Sequence, residues 1–336
     1  MKIYIDAMGG DNAPEAIVLG TVDALRKHPE LEVVLGGVIA EIEPHLAEAG
    51  DVRSRITLDD APEVITNHES PVMGVRKKTN SATVRGMLAV RNGEADGFVS
   101  AGSTGATLAG GMFRLGRIPG VERPALAPLI PNGRGGFLLI DCGANVDCKP
   151  EYLVQFGMMG DAYMRGVMGL KNPRIGLANI GAEEEKGNAL AKETFPLMQK
   201  ASYNFVGNVE ARYIPADQAD VIVTDGFSGN LILKYTEGLA KTLMGIIKTE
   251  MTADTRGKLG GLLCKPAFRR VKKHMDYKEI GGAPLLGVQG AVVKAHGSSD
   301  VRSFSSAINQ CIKMINGKVV DIIADAVAKA QAGNVE

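Results

Sequence analysis

Seven short runs of buried-strand character punctuate this chain, and helical patterns follow most of them. The runs are KIYID (2–6), EVVLGG (32–37), DGFVS (96–100), GFLLID (136–141), RIGLAN (174–179), DVIVTD (220–225) and AVVKAH (291–296). Apolar residues at helical spacing fill 14–27, 104–116, 150–168, 186–199, 230–249 and 300–331. A parallel strand needs a crossover and is buried on both faces, so this alternation predicts a largely parallel sheet covered by helices. The predicted fold class is α/β, with three α/β/α layers. No Pro/Ser-rich linker divides the 336 residues, and 45% hydrophobic content can fill a large core. Residues 1–336 therefore read as a single large α/β domain. In open α/β sheets ligands bind beyond the carboxyl ends of the strands, which makes the post-strand turns the candidates for function.

Composition narrows the classes. Lys plus Arg balances Asp plus Glu, 38 against 38, so bulk charge predicts no nucleic-acid partner. The four cysteines (Cys142, Cys148, Cys264, Cys311) lack CxxC or zinc-type spacing and are expected as reduced thiols of a cytoplasmic protein. No apolar run approaches the roughly 18 residues that span a bilayer.

Two post-strand segments match each other. ADGFVSAGSTGATL (95–108) aligns without gaps on ADVIVTDGFSGNLI (219–232), sharing A-D-x-x-V-[ST]-x-G-x-[ST]-G. Gly102 and Gly105 correspond to Gly226 and Gly229, and Thr104 to Ser228, with Ser103, Asp225 and Asn230 alongside. Such turns let backbone N–H groups face an anion beside a hydroxyl; they equally suit ordinary close packing. Other turns add polar groups. Asp6 closes the first strand before Gly9 and Gly10, and LLIDCGANVDCKP carries Asp141, Asn145, Asp147 and Lys149. His296 sits in AVVKAHGSSD, where it either serves a ligand or closes a turn capped by Ser298, Ser299 and Asp300.

NIGAEEEKGNAL (179–190) poses the sharpest question. Its glutamates suit a helix N-terminus, whereas Lys186 opposes the helix dipole and Gly187 weakens a helix. Lys186 is either a solvated charge or an ammonium aimed at something. As a compact point charge, lysine suits phosphate or an oxyanion. The chain has no G-x-G-x-x-G after a strand, no G-x-x-x-x-G-K-[ST], no G-x-S-x-G and no H-E-x-x-H. No cofactor and no metal site are expected.

DAMGGDNAPE, SAGSTGA, RPALAP (123–128), DCGANVDCKPEYLVQF, EEEKGN, FVGNVEAR, VTDGFSGNLILK and KAHGSSD together resemble PlsX, the phosphate:acyl-acyl-carrier-protein acyltransferase family, in the family's order from residue 5 to about 300. The resemblance implies a fold related to isocitrate and isopropylmalate dehydrogenases and to phosphotransacetylase, and a homodimer acting early in phospholipid synthesis. It also implies transfer of an acyl group from acyl-acyl carrier protein to inorganic phosphate. The acyl-phosphate would then pass to a membrane glycerol-phosphate acyltransferase. The family's essential lysine, in its E-x-K-G-N segment, corresponds to Lys186, with Asn188 closing the segment. Either glycine turn could then serve phosphate and the other the carrier's pantetheine arm. An NAD-dependent decarboxylating dehydrogenase would need a metal-binding aspartate cluster and an arginine-rich substrate site, which these turns do not assemble. A non-enzymatic lipid-synthesis scaffold would leave the polar turns unexplained.

Residues 231–278 read differently from the rest. Leu239, Leu243, Ile246, Ile247 and Met251 follow helical spacing, and LGGLLCKPAFRRVKKHM continues after a polar break. Ten Lys/Arg against three acids over 241–278 give a net charge of +7. This predicts a helical hairpin for dimer contact. Leu259, Leu262, Leu263 and Phe268 beside so many cations also suit an anionic membrane surface, and the charge suits acidic acyl carrier protein.

Overall fold

A computed structural model describes residues 1–133, 135–274 and 281–333. In chain order its strands are β1 (Lys2–Asp6), β2 (Glu32–Gly37), β3 (Ile56–Asp60), β4 (Gly97–Ser100), β5 (Ala125–Leu126), β6 (Leu129–Ile130), β7 (Phe137–Ile140), β8 (Arg174–Asn179), β9 (Asn204–Glu210), β10 (Val221–Val223), β11 (Gly282–Leu286) and β12 (Ala291–Ala295). All seven expected strands are among them, but the strands divide between two sheets. One runs β3-β2-β1-β4-β12-β11-β5 and the other β6-β7-β10-β8-β9. Pairing is parallel from β3 through to β12 and from β7 through to β9. The exceptions are β11, antiparallel to β12 and β5, and β6, antiparallel to β7.

The helices are α1 (Glu15–Lys27), α2 (Ile39–Ile42), α3 (Pro71–Lys77), α4 (Ala82–Arg91), α5 (Thr104–Gly110), α6 (Pro150–Gly166), α7 (Ala189–Gln199), α8 (Gly226–Thr252), α9 (Thr255–His274), α10 (Val301–Asn316) and α11 (Val319–Gly333). Three depart from the sequence pattern for local reasons. Gly187 at φ +100° holds the chain out of a helix, so α7 starts at Ala189 and Lys186 precedes it. Asp225 accepts the Ser228 N–H at 2.8 Å, which starts α8 four residues earlier than expected. The expected 300–331 helix breaks at Gly317 and Lys318, where Lys318 takes φ 50°.

One hydrophobic cluster runs through both sheets. It joins Ile3, Val99 and Ala295 of the first to Leu138, Ile175 and Val221 of the second, with Phe156 of α6 and Phe304 of α10 between. The β5–β6 stretch ties the sheets directly, because Leu126 pairs with Leu285 of β11 while Leu129 pairs with Leu138 of β7. The chain winds from β1 out to β3 and returns on the other side through β4, so β1 and β4 flank a topological switch point. After β10 of the second sheet the α8–α9 hairpin extends with little burial: in α8 only Gly226 and Gly229 are buried. Residues 275–278, the end of the expected hairpin, lie outside the described residues.

Candidate active site

The turns after β1, β4 and β12 lock together. Asp6, at the end of β1, turns its carboxylate inward and accepts from Ser100 Oγ (2.8 Å), Thr83 Oγ1 (3.0 Å) and the Met8 N–H (3.3 Å). Burial pushes this carboxyl group up despite those hydrogen bonds. Gly9 meets the next turn so closely that a Cβ there would lie 2.5 Å from the Gly102 nitrogen. Gly10, at φ +110°, sits against Gly297, whose carbonyl accepts the Asp11 N–H at 2.8 Å. Asp6, Gly9 and Gly10 therefore hold the first sheet's turns in register.

The second sheet has its own knot. Asp141 is fully buried and accepts four N–H groups: Asn145 backbone (2.7 Å) and Nδ2 (3.0 Å), Leu126 backbone (2.9 Å) and Ala144 backbone (3.2 Å). Burial still outweighs these bonds and raises its pKa to about 6. Asn145 also donates to the Pro124 carbonyl at 2.8 Å and receives the Gly226 N–H on its own carbonyl at 2.8 Å. A Cβ on Gly229 would come within 1.9 Å of the Asp141 carbonyl oxygen, and one on Gly226 within 2.5 Å of that of Asn145. Asp225 binds both the N–H and the hydroxyl of Ser228 at 2.8 Å. Lys149 occupies the N-cap position of α6 without a side-chain capping bond.

Between the two sets of turns lies a cavity of about 550 Å³. Its polar end is built from Thr104, Gly105, Lys294, His296, Ser298 and Ser299, and Asn230 reaches it from α8. Its wall is apolar: Leu108, Leu126, Leu129, Ile130 and Leu233. His296 Nδ1 accepts the Ser298 N–H at 3.2 Å and lies 2.9 Å from Ser298 Oγ, so the turn fixes its ring. Cys142 also lines the cavity, but burial pushes its thiol well above the usual range, and Cys148 is pushed up to about 12. Neither supplies a ready thiolate nucleophile. Among the described residues no cluster of His, Cys, Asp and Glu is placed to hold a metal ion.

The sequence candidates thus separate into groups. Thr104, Gly105, Asn230 and His296 line the cavity, whereas Asp6, Gly9, Gly10, Gly102, Asp141, Asn145, Gly226, Ser228 and Gly229 brace its turns. Ser103 and Asn188 act as caps, accepting from Ala106 and Ala191 backbone N–H groups. Lys186 stands exposed on the turn after β8, its carbonyl held by Asn179 Nδ2 at 3.0 Å. That turn neighbours the β10 turn, since β8 and β10 are paired. Lys186 is not among the cavity-lining residues. Sequence reasoning passed over Lys294, which is buried and lines the cavity. Its signal was a lysine in the penultimate position of an otherwise apolar strand.

A family model described as "Fatty acid synthesis protein" matches residues 1–321. This chain belongs to that family. The phosphate acyltransferase of Clostridium novyi (strain NT) is 47% identical over 323 residues, covering 96% of this chain and 97% of its own length. That of Clostridium botulinum (strain Alaska E43 / Type E3) is 50% identical over 325 residues, covering 96% and 98%. In fold the family's member here is similar to a phosphotransacetylase from Streptococcus pyogenes, with a TM-score of 0.62 at 18% identity, over 96% of this chain and 94% of that one.

Proposed function

We propose that this protein is a phosphate acyltransferase that moves a fatty acyl group from acyl-acyl carrier protein to inorganic phosphate, giving acyl-phosphate for phospholipid synthesis. The observation that carries this reading is the near-full-length identity to proteins called phosphate acyltransferase. The cavity supports it, because an apolar wall leading to a polar turn suits an acyl chain joined to a reactive carbonyl. The raised thiols of Cys142 and Cys148 favour direct attack by phosphate over a cysteine-bound intermediate. In fold we read the chain as a relative of isocitrate and isopropylmalate dehydrogenases, on its motifs, working as one unit through its continuous core.

Phosphate and the developing oxyanion are both negative, so a positioned cation lowers the barrier; single donors of this kind contribute roughly 3 to 4 kcal/mol. We assign that role to Lys186 on its E-x-K-G-N segment; its exposed turn lies outside the cavity lining, beside the turn after β10. The locked turns hold phosphate and the pantetheine arm in line. The α8–α9 hairpin supports two further assignments, a homodimer contact and reversible attachment of a cytoplasmic protein to anionic membrane beside the glycerol-phosphate acyltransferase. Leu259, Leu262 and Leu263 are exposed, Leu263 by 75%, and Phe268 is half-buried. Among the described residues no helix is long and apolar enough to cross a membrane.

Release of free carrier protein from acyl-acyl carrier protein should depend on phosphate, with no NAD reduction in parallel. Phosphate-independent release, or NAD reduction with a hydroxy-acid substrate, would overturn the reading. Anionic liposomes should retain the protein at low salt and lose it on Leu263→Glu; unchanged retention would leave the hairpin to dimer and carrier contacts.

A further inference from the structure

Lys294 has no task in the reaction as described, yet its position is costly. It is the fourth residue of β12, buried, and its Nζ donates to the carbonyls of Ala101 (3.2 Å) and Ala295. An ammonium has three N–H donors, so one remains for the cavity that it lines. Among the described residues no carboxylate forms an ion pair with it; Asp6 on β1 and Asp11 on the following turn act on it only at longer range. Burial lowers its pKa to about 8, the two aspartates opposing. Burial makes this amine readier to release a proton than a solvated lysine, as a group that gives up a proton and takes it back must be.

Position selects the proton's destination. Lys294 sits where the polar turn meets the apolar wall, sharing a narrow recess with Thr104, Thr107, Leu108 and Leu126. With the acyl chain along the wall and the carrier's arm at the turn, that junction is where the thioester sulfur lies. Resting on the acyl-transfer reading above, we propose that Lys294 is the catalytic acid that protonates the departing thiolate. A phosphate oxygen bonds to the carbonyl carbon, and the carbon–sulfur bond breaks with its electron pair moving onto sulfur. A proton passes from Nζ to sulfur to give the free thiol. The neutral amine then takes the proton that hydrogen phosphate sheds on becoming the acyl-phosphate. Atoms and charge balance without any further reactant.

A thiol acidic enough to leave unaided does not need the donor. In the full chain, Lys294→Met should lower kcat with acyl-acyl carrier protein by at least a hundredfold while the phosphate KM stays within threefold. With the S-phenyl thioester of the same acyl chain, the loss should shrink below tenfold. Equal losses on both thioesters, or a raised phosphate KM with kcat retained, would overturn the assignment. So would full activity in Lys294→Met with the same leaving-group rescue appearing in His296→Gln instead. Wild-type protein provides a measure independent of how the variant folds: across alkyl thioesters its kcat should vary little with leaving-thiol acidity, and a steep fall for the less acidic thiols would remove the need for this acid. A wild-type chain that releases no thiol with phosphate sinks the functional reading as well. Active wild type with an unaffected Lys294→Met sinks this assignment alone.

Discussion

The turns after β4 and β10 share a sequence pattern but not a job. Their common part lies upstream: Asp96 accepts the Lys2 N–H that opens β1, and Asp220 accepts the Arg174 N–H that opens β8, each at 2.7 Å. Each aspartate thereby sets the register of the strand beside it. Beyond the strand they diverge. Ser103 caps α5, whereas Asp225, two positions earlier in the shared pattern, caps α8. Gly102 consequently stays outside its helix and Gly226 opens one. Thr104 lines the cavity, but the hydroxyl of its counterpart Ser228 is turned back on Asp225. A repeated pattern fixes strand entry and close approach; the capping side chain decides where the helix starts and which hydroxyl meets a ligand.

The contrast is broken or sharpened most by the second glycine of each turn. A Cβ at Gly229 meets the Asp141 backbone at 1.9 Å, while one at Gly105 meets the Pro71 ring at 2.5 Å. Gly229→Ala should cost more than about 3 kcal/mol in urea unfolding, because the Asp141 backbone must move, and Gly105→Ala about 1 to 3 kcal/mol, because the half-buried Pro71 ring must be displaced. Equal costs would make the two turns equivalent after all. Next in size, Lys186→Ala should lower kcat at least a hundredfold, about 2.7 kcal/mol of barrier, with the melting temperature unchanged, since an exposed turn lysine contributes little to folding. Activity within threefold of wild type would leave the cavity-side turn to act without it and point to Lys149.

The buried lysine gives a smaller effect of opposite sign. An amine whose pKa falls from 10.5 to about 8 on folding contributes stability that is complete above pH 10.5 and lost as pH falls through 8. At pH 7 that loss amounts to about 3 kcal/mol, and the two carbonyls left by Lys294→Met return about 1 to 2 of it as a penalty. The variant should therefore be more stable than wild type by about 1 to 2 kcal/mol below pH 8, with the gain fading towards pH 10.5. A gain independent of pH over that window would show that Lys294 is not buried as an ammonium. Among the caps, Asp225→Ala should cost about 1 to 2 kcal/mol, and Ser103→Ala is the smallest effect at about 0.5 to 1, following the shorter hydrogen bond at Asp225 (2.8 against 3.4 Å).

Much of the fold was legible because burial of parallel strands leaves continuous apolar runs, as in β1, β4 and β12. β3 escaped notice because ITLDD alternates polar residues at a sheet edge, and β11 because Pro284 interrupts its run. Two sheets rather than one could not be read from period alone, since the segments that separate them, β5 and β6, have two residues each. In the site, the glycine turns and His296 carried local signals. Lys294 did not: the Ala101 carbonyl that it bonds and the aspartates that act on it, Asp6 and Asp11, lie nearly two hundred or more residues away in sequence. Lys186 stands out in the sequence as a cation inside a helix start, whereas Gly187 keeps it out of α7, which begins at Ala189.

The six residues from Ala125 to Ile130 belong to both sheets and also supply Leu126, Leu129 and Ile130 to the cavity wall. Each end is anchored by a ladder of two residue pairs, Ala125 and Leu126 to β11, Leu129 and Ile130 to β7. Alongside the ladders the Leu126 N–H is held by Asp141 and the Ala127 N–H by the Pro284 carbonyl, so this wall of the cavity is pinned to both sheets at once. Displacing this wall of the cavity therefore strains strand pairing in both sheets directly.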